Sequence, residues 1–591
     1  MHLASIGKSF VTATFFIFNV FISFSQPPIQ WQRCLGGGGS DICAARETLD
    51  GGYVIVGSTN SMDGNVSGNE NASTNVWIMK LDVYGVPQWQ SCLGGTYNDG
   101  DVYNLIPFQE TSDGGFLIAA ESWSNNGDVT GNHGYGDIWA IKLDFNGNLE
   151  WQRCLGGTLL ERPTSIRETS DGGCVVTGYT KSNDGDVIGN HGGWSDVWVV
   201  KLNSIGNLDW QRCVGGSGEE TEGTAYQVAD GGYIVSALTD SNDGDAAGNH
   251  GWNDILIVKL DGSGNTEWTR CYGSTGNESV LMGGSPGVDD YSASIAIPTS
   301  DGGYIFTCTT YMPDGDVDVI HSGGSDMWVV KLDYAGNIEW QRSLGGTSID
   351  EGHKVKQTAD GGYLLVGSAE SNDGDAVGNN LGYSAIWLVR LNSMGTTEWQ
   401  RVLGGWRINL VQQTADGGFI VGINRFCGGL GDFTQLVKIN ENGGYIGNSV
   451  FNDWGICLDT ETPATMDLHS LQQTSDGGYL VGVGFQSPFY PGFHGSWDIL
   501  VTKLSPESGA FVQNNSNFSL EPYPNPATDE FYFTVEGNTI GQNYYLFDST
   551  GRKVLDGKIT SNQTIFSIKE IPVGIYLLSL ENGLSARLVK E

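Results

Sequence analysis

The sequence has 591 residues, and its 68 aspartates and glutamates against 29 lysines and arginines give a formal net charge of −39. Such an acidic surface repels phosphate backbones, which argues against nucleic acid as a partner. The 88 glycines and the aromatic content of 11% fit many short strands joined by tight turns better than helices or disorder.

Residues 1–25 have the pattern of a secretory signal peptide. Lys8 precedes a mostly apolar stretch from Phe10 to Ile22, and small residues follow at Ser23 and Ser25. We expect cleavage close to the end of this segment. No later stretch has the roughly 20 apolar residues that a membrane-spanning helix needs. The sequence therefore predicts an exported chain without a transmembrane segment.

Three motifs recur in step along the chain. One begins with tryptophan, as in WQRCLGG from Trp151, and another resembles VWVVKLN from Val197. The third is the tripeptide Asp-Gly-Gly, which stands just before an apolar run at Asp50, Asp113, Asp171, Asp230, Asp301, Asp360, Asp416 and Asp476. Regular recurrence of this kind indicates a repeat protein.

Each repeat resolves into four strands, which we call a, b, c and d. In the repeat that begins at Ser165, they are SIRETS, CVVTGYT, VWVVKLN and LDWQRCVGG. The Asp171-Gly172-Gly173 turn supplies the positive-φ positions of a tight hairpin, so strands a and b pair antiparallel. Strands b and c are almost continuously apolar, which predicts that both faces of each sheet are covered.

Four-stranded sheets that recur around an axis form a β-propeller, and eight blades lie within its usual range. The ordered repeats begin with a d-type strand at Trp31 and end with a c-type strand at Leu504, so the N-terminal strand is expected to complete the last blade. An open stack of sheets would leave exposed edges that need caps, and the sequence shows no cap. We predict an all-β protein with an eight-bladed propeller over residues 26–513.

Alternate connections of an antiparallel sheet lie at the same end. The a–b and c–d turns are short, whereas the b–c loops, such as KSNDGDVIGNHGGWSD, and the d–a segments are longer and acidic. One face of the ring is thus expected to be plain and the other rich in loops. We call the second one the loop face and expect any binding site there.

Residues 514–591 form a polar linker and a separate pattern of short strands, which predicts a small C-terminal β-sandwich. Its motifs YPNPATDEFYF, LFDSTGRKV and IPVGIYLLSL closely resemble the type A sorting domain of the type IX secretion system. The repeats are similar to those of secreted repeat proteins that often carry this tail. The positions that match the sorting domain are Pro524, Asn525, Pro526, Gly551, Pro572, Gly574, Tyr576 and Lys590.

This resemblance implies export across an outer membrane. It also implies two partners, the type IX secretion machinery and the surface peptidase that removes the tail. The mature protein would then be released or attached to surface lipopolysaccharide. None of this names the activity of the propeller.

The b–c loops contain a candidate calcium site. Alternate aspartates before a glycine repeat the opening spacing of a calcium loop, in which oxygen ligands suit a hard cation. The match is partial, because no glutamate stands where a bidentate ligand would close the shell. Capping of the turns by the same side chains is the competing interpretation. The aspartates are Asp184 and Asp186, Asp243 and Asp245, and Asp373 and Asp375.

Exposed aromatic side chains are candidates for sugar binding. Trp123, Trp194, Trp252 and Trp406 fall in or beside loops of the loop face, where their rings could stack on sugars, although loop anchoring would also explain them. Tryptophans inside strands, such as Trp198, are expected to pack in the core. The histidines of the GNHG loops lie one per blade, so we expect a turn or surface role for them rather than a shared metal.

The cysteines of the WQRC-type motifs occupy one position in successive repeats and are too far apart to bridge. We expect them to be small buried hydrophobes. Cys427 and Cys457 form the pair that could be bonded, and the sequence leaves this open.

The sequence predicts a secreted or cell-surface binding or adhesion protein whose ligand is an extracellular glycan or protein. Catalysis needs a singular set of residues, and near-symmetric repeats argue against one, so we expect no enzyme activity. A glycan-processing enzyme with its site on the loop face is the alternative.

Overall fold

In the computed structural model the chain divides into two compact units, residues 1–508 and residues 509–591. The signal-peptide prediction falls outside the described residues and stays a prediction. The structure describes residues 27–70, 72–101, 104–280, 295–318, 320–321, 323–379, 383–405, 407–426, 432–444, 454–456, 465–486, 493–506, 530–534, 543–548, 553–559, 563–569, 571–572, 574–580 and 585–590.

The described residues of the first unit form eight four-stranded antiparallel sheets, which are the predicted blades. Their only helical segment is a 3-10 turn at Gly244–Ala246. Strands a to d of blade 1 are β2 (Asp41–Glu47), β3 (Tyr53–Thr59), β4 (Asn75–Leu81) and β5 (Pro87–Leu93), and those of blade 2 are β6 (Phe108–Glu110), β7 (Phe116–Ser122), β8 (Asp137–Leu143) and β9 (Leu149–Leu155). Those of blade 3 are β10 (Glu161–Glu168), β11 (Cys174–Thr180), β12 (Asp196–Leu202) and β13 (Leu208–Val214). Those of blade 4 are β14 (Glu220–Gln227), β15 (Tyr233–Thr239), β16 (Asp254–Leu260) and β17 (Thr266–Tyr272).

Blades 5 to 7 repeat the same order of strands along the chain. Blade 5 is formed by β18 (Ala296–Pro298), β19 (Tyr304–Thr310), β20 (Asp326–Leu332) and β21 (Ile338–Leu344). Blade 6 is formed by β22 (Asp350–Gln357), β23 (Tyr363–Ala369), β24 (Ala385–Leu391) and β25 (Thr397–Leu403). Blade 7 is formed by β26 (Arg407–Gln413), β27 (Phe419–Phe426), β28 (Asp432–Ile439) and β29 (Trp454–Ile456).

Blade 8 joins the two ends of the repeat region. Strands β30 (Thr465–Gln473), β31 (Tyr479–Gln486) and β32 (Asp498–Leu504) supply its strands a to c, and β1 (Ile29–Leu35) supplies strand d. Strand β1 pairs antiparallel with β32, with Trp31 opposite Lys503 and Leu35 opposite Ile499. The prediction that the N-terminal strand completes the last blade is confirmed, and the chain is an eight-bladed β-propeller.

The strands a lie nearest the centre of the ring. Strand β10 contacts β6 of the preceding blade and β14 of the next one, and β30 contacts both β26 and β2. Strands a of adjacent blades therefore line the centre, and strands d lie on the outside. Since each strand a begins where a d–a segment ends, its first residues lie on the loop face.

The core lies between the blades, as the apolar strands b and c predict. Every residue of β3, β4, β7 and β8 is buried. In five blades a tryptophan of strand c is fully buried, and its indole N–H donates to a glutamine of strand d. These pairs are Trp77 with Gln90, Trp139 with Gln152, Trp198 with Gln211, Trp328 with Gln341 and Trp387 with Gln400.

The tryptophan of strand d packs against the next blade. Trp89 of blade 1 lies on Gly147 in the c–d turn of blade 2, where φ is 81° and a Cβ would come within 2.5 Å of the indole. Only glycine fits both the backbone angle and the close approach. The same contact joins Trp31 with Gly85, Trp151 with Gly206, Trp210 with Gly264, Trp268 with Gly336, Trp340 with Gly395 and Trp399 with Gly443.

Each Asp-Gly-Gly aspartate forms an ion pair with a buried lysine or arginine of its own blade. The Lys201 side chain is 4% exposed, and its Nζ lies 2.9 Å from Asp171 Oδ2. Partial burial alone would raise the pKa of Asp171, but hydrogen bonds from Thr169 and Lys201 lower it to about 2. The other pairs are Lys80–Asp50, Lys142–Asp113, Lys259–Asp230, Lys331–Asp301, Arg390–Asp360, Lys438–Asp416 and Lys503–Asp476.

The second unit is also made of strands. Strand β33 (Glu530–Thr534) pairs with β36 (Gln563–Ser567). A four-stranded sheet has the order β35 (Lys553–Lys558), β34 (Asn543–Asp548), β37 (Gly574–Leu580) and β38 (Ser585–Lys590). The fold class is all-β throughout the described chain, apart from the single 3-10 turn.

We predict that Asp476→Asn destabilises the protein more than Lys503→Met does. Asparagine keeps the turn contacts of Asp476 but leaves Lys503 Nζ, on a side chain that is 1% exposed, without a counter-charge. We expect a loss of about 2 kcal/mol, less than for a fully buried pair because Asp476 is half exposed. Methionine fills the same space without a charge. Urea unfolding at pH 7 measures the difference, and a larger loss for Lys503→Met would contradict the role of the pair.

Candidate functional site

The d–a segments and the b–c loops meet on the loop face, as predicted. In blade 3, the backbone N–H of Thr158 donates to Asp184 Oδ1 at 2.8 Å, and the N–H of Leu159 donates to Ser182 Oγ at 2.9 Å. Thr158 and Leu159 belong to the d–a segment that enters blade 3, and the two acceptors belong to its b–c loop. These contacts hold the two kinds of loop together.

The first aspartate of each candidate calcium loop caps this junction. Asp184 and Asp373 each accept from the backbone N–H and the hydroxyl of a threonine, and Asp243 accepts from the N–H of Ser217. The backbone hydrogen bond from Thr158 lowers the pKa of Asp184. These contacts are those expected of turn caps.

The second aspartate of each loop faces a basic residue of the preceding blade. Asp245 Oδ1 lies 2.8 Å from Arg212, and Asp186 and Asp375 lie 3.8 Å from the Nε2 atoms of His133 and His321. No described contact brings the aspartates of different loops together. Calcium binding at Asp184, Asp186, Asp243, Asp245, Asp373 and Asp375 stays a prediction.

The histidines of the loop face bridge adjacent blades. His133 Nδ1 lies 2.8 Å from Asp137 Oδ2 at the start of strand c, while its Nε2 faces Asp186 of the next blade. His250 and His321 repeat this arrangement. Their role is to fix the loops, in agreement with the turn role that the sequence predicts.

A pair of buried carboxylates lies beneath each of these loops. A Cβ on Gly156 would lie 2.4 Å from Glu161 Oε2 and 2.9 Å from Asp137 Oδ1, so both oxygens lie close to the backbone of Gly156. Asp137 Oδ1 has no hydrogen-bond partner among the described residues. Burial is the main cause that raises the pKa of both carboxyls, and the charge of Asp137 raises the pKa of Glu161 further. The other pairs are Asp498–Asp41, Asp196–Glu220, Asp254–Glu278 and Asp326–Asp350.

Exposed aromatic rings are the second feature of the loop face. The side chains of Trp194 and Trp252 are 71% and 76% exposed, and Trp123 is 42% exposed. The Trp123 indole donates to Glu121 Oε1 at 2.7 Å. Trp406 lies outside the described residues. Three of the four tryptophans predicted from the sequence are thus accessible to a ligand.

Tyrosines extend this set of rings. Trp194 and Trp252 each stand two residues before strand c, and Tyr135 of blade 2 and Tyr383 of blade 6 occupy the same position. Both tyrosines are exposed. Sequence reasoning missed them because it searched for tryptophan alone, although their place in the repeat would have identified them.

A cavity with both apolar and polar side chains in its lining breaks the symmetry of the repeats. It has a volume of about 210 Å³ and lies between blades 2, 3 and 4, where Glu121, Arg162, Tyr179 and Glu222 line it. Glu121 and Tyr179 are the sixth residues of their strands b, a position held by Ser58 in blade 1 and by a leucine in blade 4. The sequence analysis did not predict this site. The variation at the sixth residue of strand b was the signal that could have identified it.

The described residues of the sorting tail form local hydrogen bonds. Tyr576 Oη donates to the carbonyl of Pro572 at 2.5 Å. Lys590 is buried, and its Nζ donates to the carbonyls of Ile568, Lys569 and Ile571. Gly574 begins strand β37. Pro524, Asn525, Pro526 and Gly551 lie outside the described residues.

The described cysteines are all free, and those of strands d in blades 2, 3 and 4 are buried. Cys34 and Cys92 are half-buried, so burial of this position is less complete than expected. Burial raises the pKa of Cys154, which keeps the thiol protonated. Cys427 and Cys457 lie outside the described residues, and their pairing stays open.

We predict that Asp137→Asn stabilises the protein at pH 7. Because the pKa of Asp137 is raised in the folded state, the free energy of unfolding falls as the pH rises from the ordinary pKa of aspartate through this raised pKa. The asparagine variant avoids this loss, so its stability advantage over the parent should grow from pH 4 to pH 7. Blade 1 already carries Asn75 at this position. Thermal unfolding at several pH values measures the effect.

Asp144→Asn is the matched control with the opposite sign. Hydrogen bonds from Asn148 and Asn146 lower the pKa of Asp144, so its carboxylate favours folding above its ordinary pKa and loses that contribution as pH falls. We expect Asp144→Asn to destabilise the protein at pH 7 and to approach the parent in acid. The same pH trend for both variants would rule out the proposed effect of burial.

The sequence of the tail matches the secretion system C-terminal sorting domain over residues 521–591. No curated protein matches the chain. Among solved structures, the Dos1 propeller is 11% identical, with 81% of this chain and 95% of that chain covered and a TM-score of 0.42. Prolyl oligopeptidase B from Galerina marginata is 11% identical, with 76% and 56% covered and a TM-score of 0.38.

The α-L-arabinofuranosidase Arb93A from Fusarium graminearum is 10% identical, with 62% of this chain and 96% of that chain covered and a TM-score of 0.29. The described part of the chain contains no helix that could serve as a membrane span. Since the tail carries the export signal, the protein is a β-propeller exported by the type IX route, secreted or attached to the outer surface, and it ends in a secretion system C-terminal sorting domain.

Proposed function

We propose that this protein binds an extracellular glycan through the aromatic side chains of its loop face and does not catalyse a reaction. The observation that carries the proposal is the recurrence of an exposed ring two residues before strand c. These rings are Tyr135, Trp194, Trp252 and Tyr383, which are 64%, 71%, 76% and 55% exposed.

The backbone beneath the rings is held in place. The N–H groups of Trp194 and Trp252 donate to the carbonyls of Gly218 and Gly276 in the next d–a segment, both at 3.2 Å. Loop anchoring is thus performed by the backbone, and the indoles are free to contact a ligand. Because the backbone is already ordered, less conformational entropy is lost when a ligand stacks on these rings.

The arrangement favours an extended ligand. Adjacent blades 2, 3 and 4 each present one ring, so a polymer with repeating units can engage several of them at once, and linked contacts raise overall affinity. The net charge of −39 disfavours strongly anionic polymers. A neutral polysaccharide fits both features, and export to the outside of the cell gives the protein access to it.

We expect Trp194→Ala and Trp252→Ala each to weaken glycan binding about tenfold, since each removes one stacking contact of about 1.4 kcal/mol. The double variant should lose more. A glycan array identifies the bound polysaccharide, and titration calorimetry with that polysaccharide gives the affinities. Tyr334→Ala is the control, because Tyr334 is 76% exposed but lies in a c–d turn on the opposite face.

Equal binding by all variants, or an equal loss in Tyr334→Ala, would contradict the proposal. Binding of an extracellular protein, with no glycan bound, would indicate that the ligand is a protein. Incubation of the bound polysaccharide with the wild-type protein, followed by chromatography, tests the alternative of a glycan-processing enzyme. We expect the chain length of the polysaccharide to stay unchanged.

A further inference from the structure

The cavity between blades 2, 3 and 4 lies on the loop face, beside the innermost strands. Arg162 and Glu222 belong to the first residues of strands β10 and β14, which are innermost strands. Glu121 and Tyr179 come from the ends of β7 and β11, the strands b of blades 2 and 3. Three blades therefore supply the four polar side chains. Trp194 and Trp252 do not line the cavity, whereas Trp123 contacts Glu121 in its wall.

The positive charge of the cavity is already neutralised. Arg162 Nε lies 2.6 Å from Glu121 Oε2, and the carboxylate of Glu121 also accepts from the Trp123 indole. Arg162 is in addition hydrogen-bonded to Tyr179. This network fixes one wall of the cavity. Since its arginine is already paired with Glu121, the network offers no counter-charge to a second carboxylate.

Glu222 is that second carboxylate. Among the described residues it has no ion pair or hydrogen bond, and burial is the one cause that raises its pKa. Its backbone lies in a β-bulge with φ of 59°, a strained conformation for a residue with a side chain. An unpaired carboxylate held in a strained backbone is a feature that stability alone does not favour.

The other repeats show that the fold does not require an acid here. The third residue of strand a is Pro163 in blade 3, Glu222 in blade 4 and Gly352 in blade 6. The equivalent of Glu121 is Ser58 in blade 1. Since these blades form without the acids, the acids at this one place serve something other than folding.

We propose that this cavity binds a compact protonated amine, with Glu222 as its counter-ion and the Glu121–Arg162–Tyr179 network as its hydrogen-bonding wall. Asp101 also lines the cavity, so the carboxylates outnumber the single arginine and a cationic ligand is favoured over an anion. The volume of about 210 Å³ is below the roughly 300 to 1,000 Å³ of typical small-molecule sites. A ligand of the size of one amino sugar or one lysine side chain fits it.

Titration calorimetry of the purified full-length protein tests the proposal with glucosamine and with lysine as probes. We expect at least one of them to bind, while glucose and N-acetylglucosamine, which lack the charge, bind at least tenfold more weakly. The probe that binds distinguishes an amino sugar from an amino acid as the source of the amine. Equal binding of charged and neutral sugars, or no binding of either amine, would overturn the proposal.

Variants of Glu222 separate binding from folding. Glu222→Gln keeps the shape and should lower amine affinity at least tenfold, whereas Glu219→Gln, on the same segment but outside the cavity lining, should leave it unchanged. Glu222→Gly removes the carboxylate and relieves the positive φ, so it should abolish amine binding while raising the unfolding temperature. Amine binding by Glu222→Gln at wild-type affinity would refute the role of Glu222.

The outcome is independent of the glycan proposal. Trp194→Ala and Trp252→Ala should bind the amine as the wild type does, because neither ring lines the cavity. Glu222→Gln should in turn bind the glycan normally. Loss of both activities in any one of these variants would instead indicate a single shared site and would overturn the assignment of a separate amine site.

Discussion

The pairing of strand β1 with strand β32 is the constraint on which the propeller depends. Without it, the strand c at Asp498–Leu504 would present an open edge, and such edges recruit other chains. Closure also fixes the number of blades, because the first and last repeats must meet in register. Once the ring is shut, the inner strands surround one centre and the long loops share one face, which is the precondition for any site built from several blades.

Repetition and its exceptions have different roles in this structure. The Trp89–Gly147 type of contact and the Lys201–Asp171 type of pair recur from blade to blade and hold the fold together. Residues that break the pattern, such as Glu121 and Glu222, stand at positions where other blades fold without an acidic residue. The internal repeats thus serve as a reference in which a singular residue identifies a candidate site.

Buried charge is handled in two opposite ways. Asp-Gly-Gly aspartates such as Asp171 have lowered pKa values because a threonine hydroxyl and a buried lysine donate hydrogen bonds to them. The carboxylates beneath the b–c loops, such as Asp137 and Glu161, have raised pKa values chiefly because they are buried. The first set stabilises the fold at neutral pH, while the second set favours mildly acidic conditions.

The sequence by itself determined the repeat, the four strands of each blade, the closing strand at Trp31 and the sorting tail, because these follow from local patterns of turns, apolar residues and motifs. It also identified Trp194 and Trp252, since a loop position can be read from the chain. Only the tertiary structure decided that Glu121, Arg162, Tyr179 and Glu222 line one cavity and that Asp137 faces Glu161. Those neighbours come from different blades, and proximity between blades depends on ring geometry that no local pattern encodes.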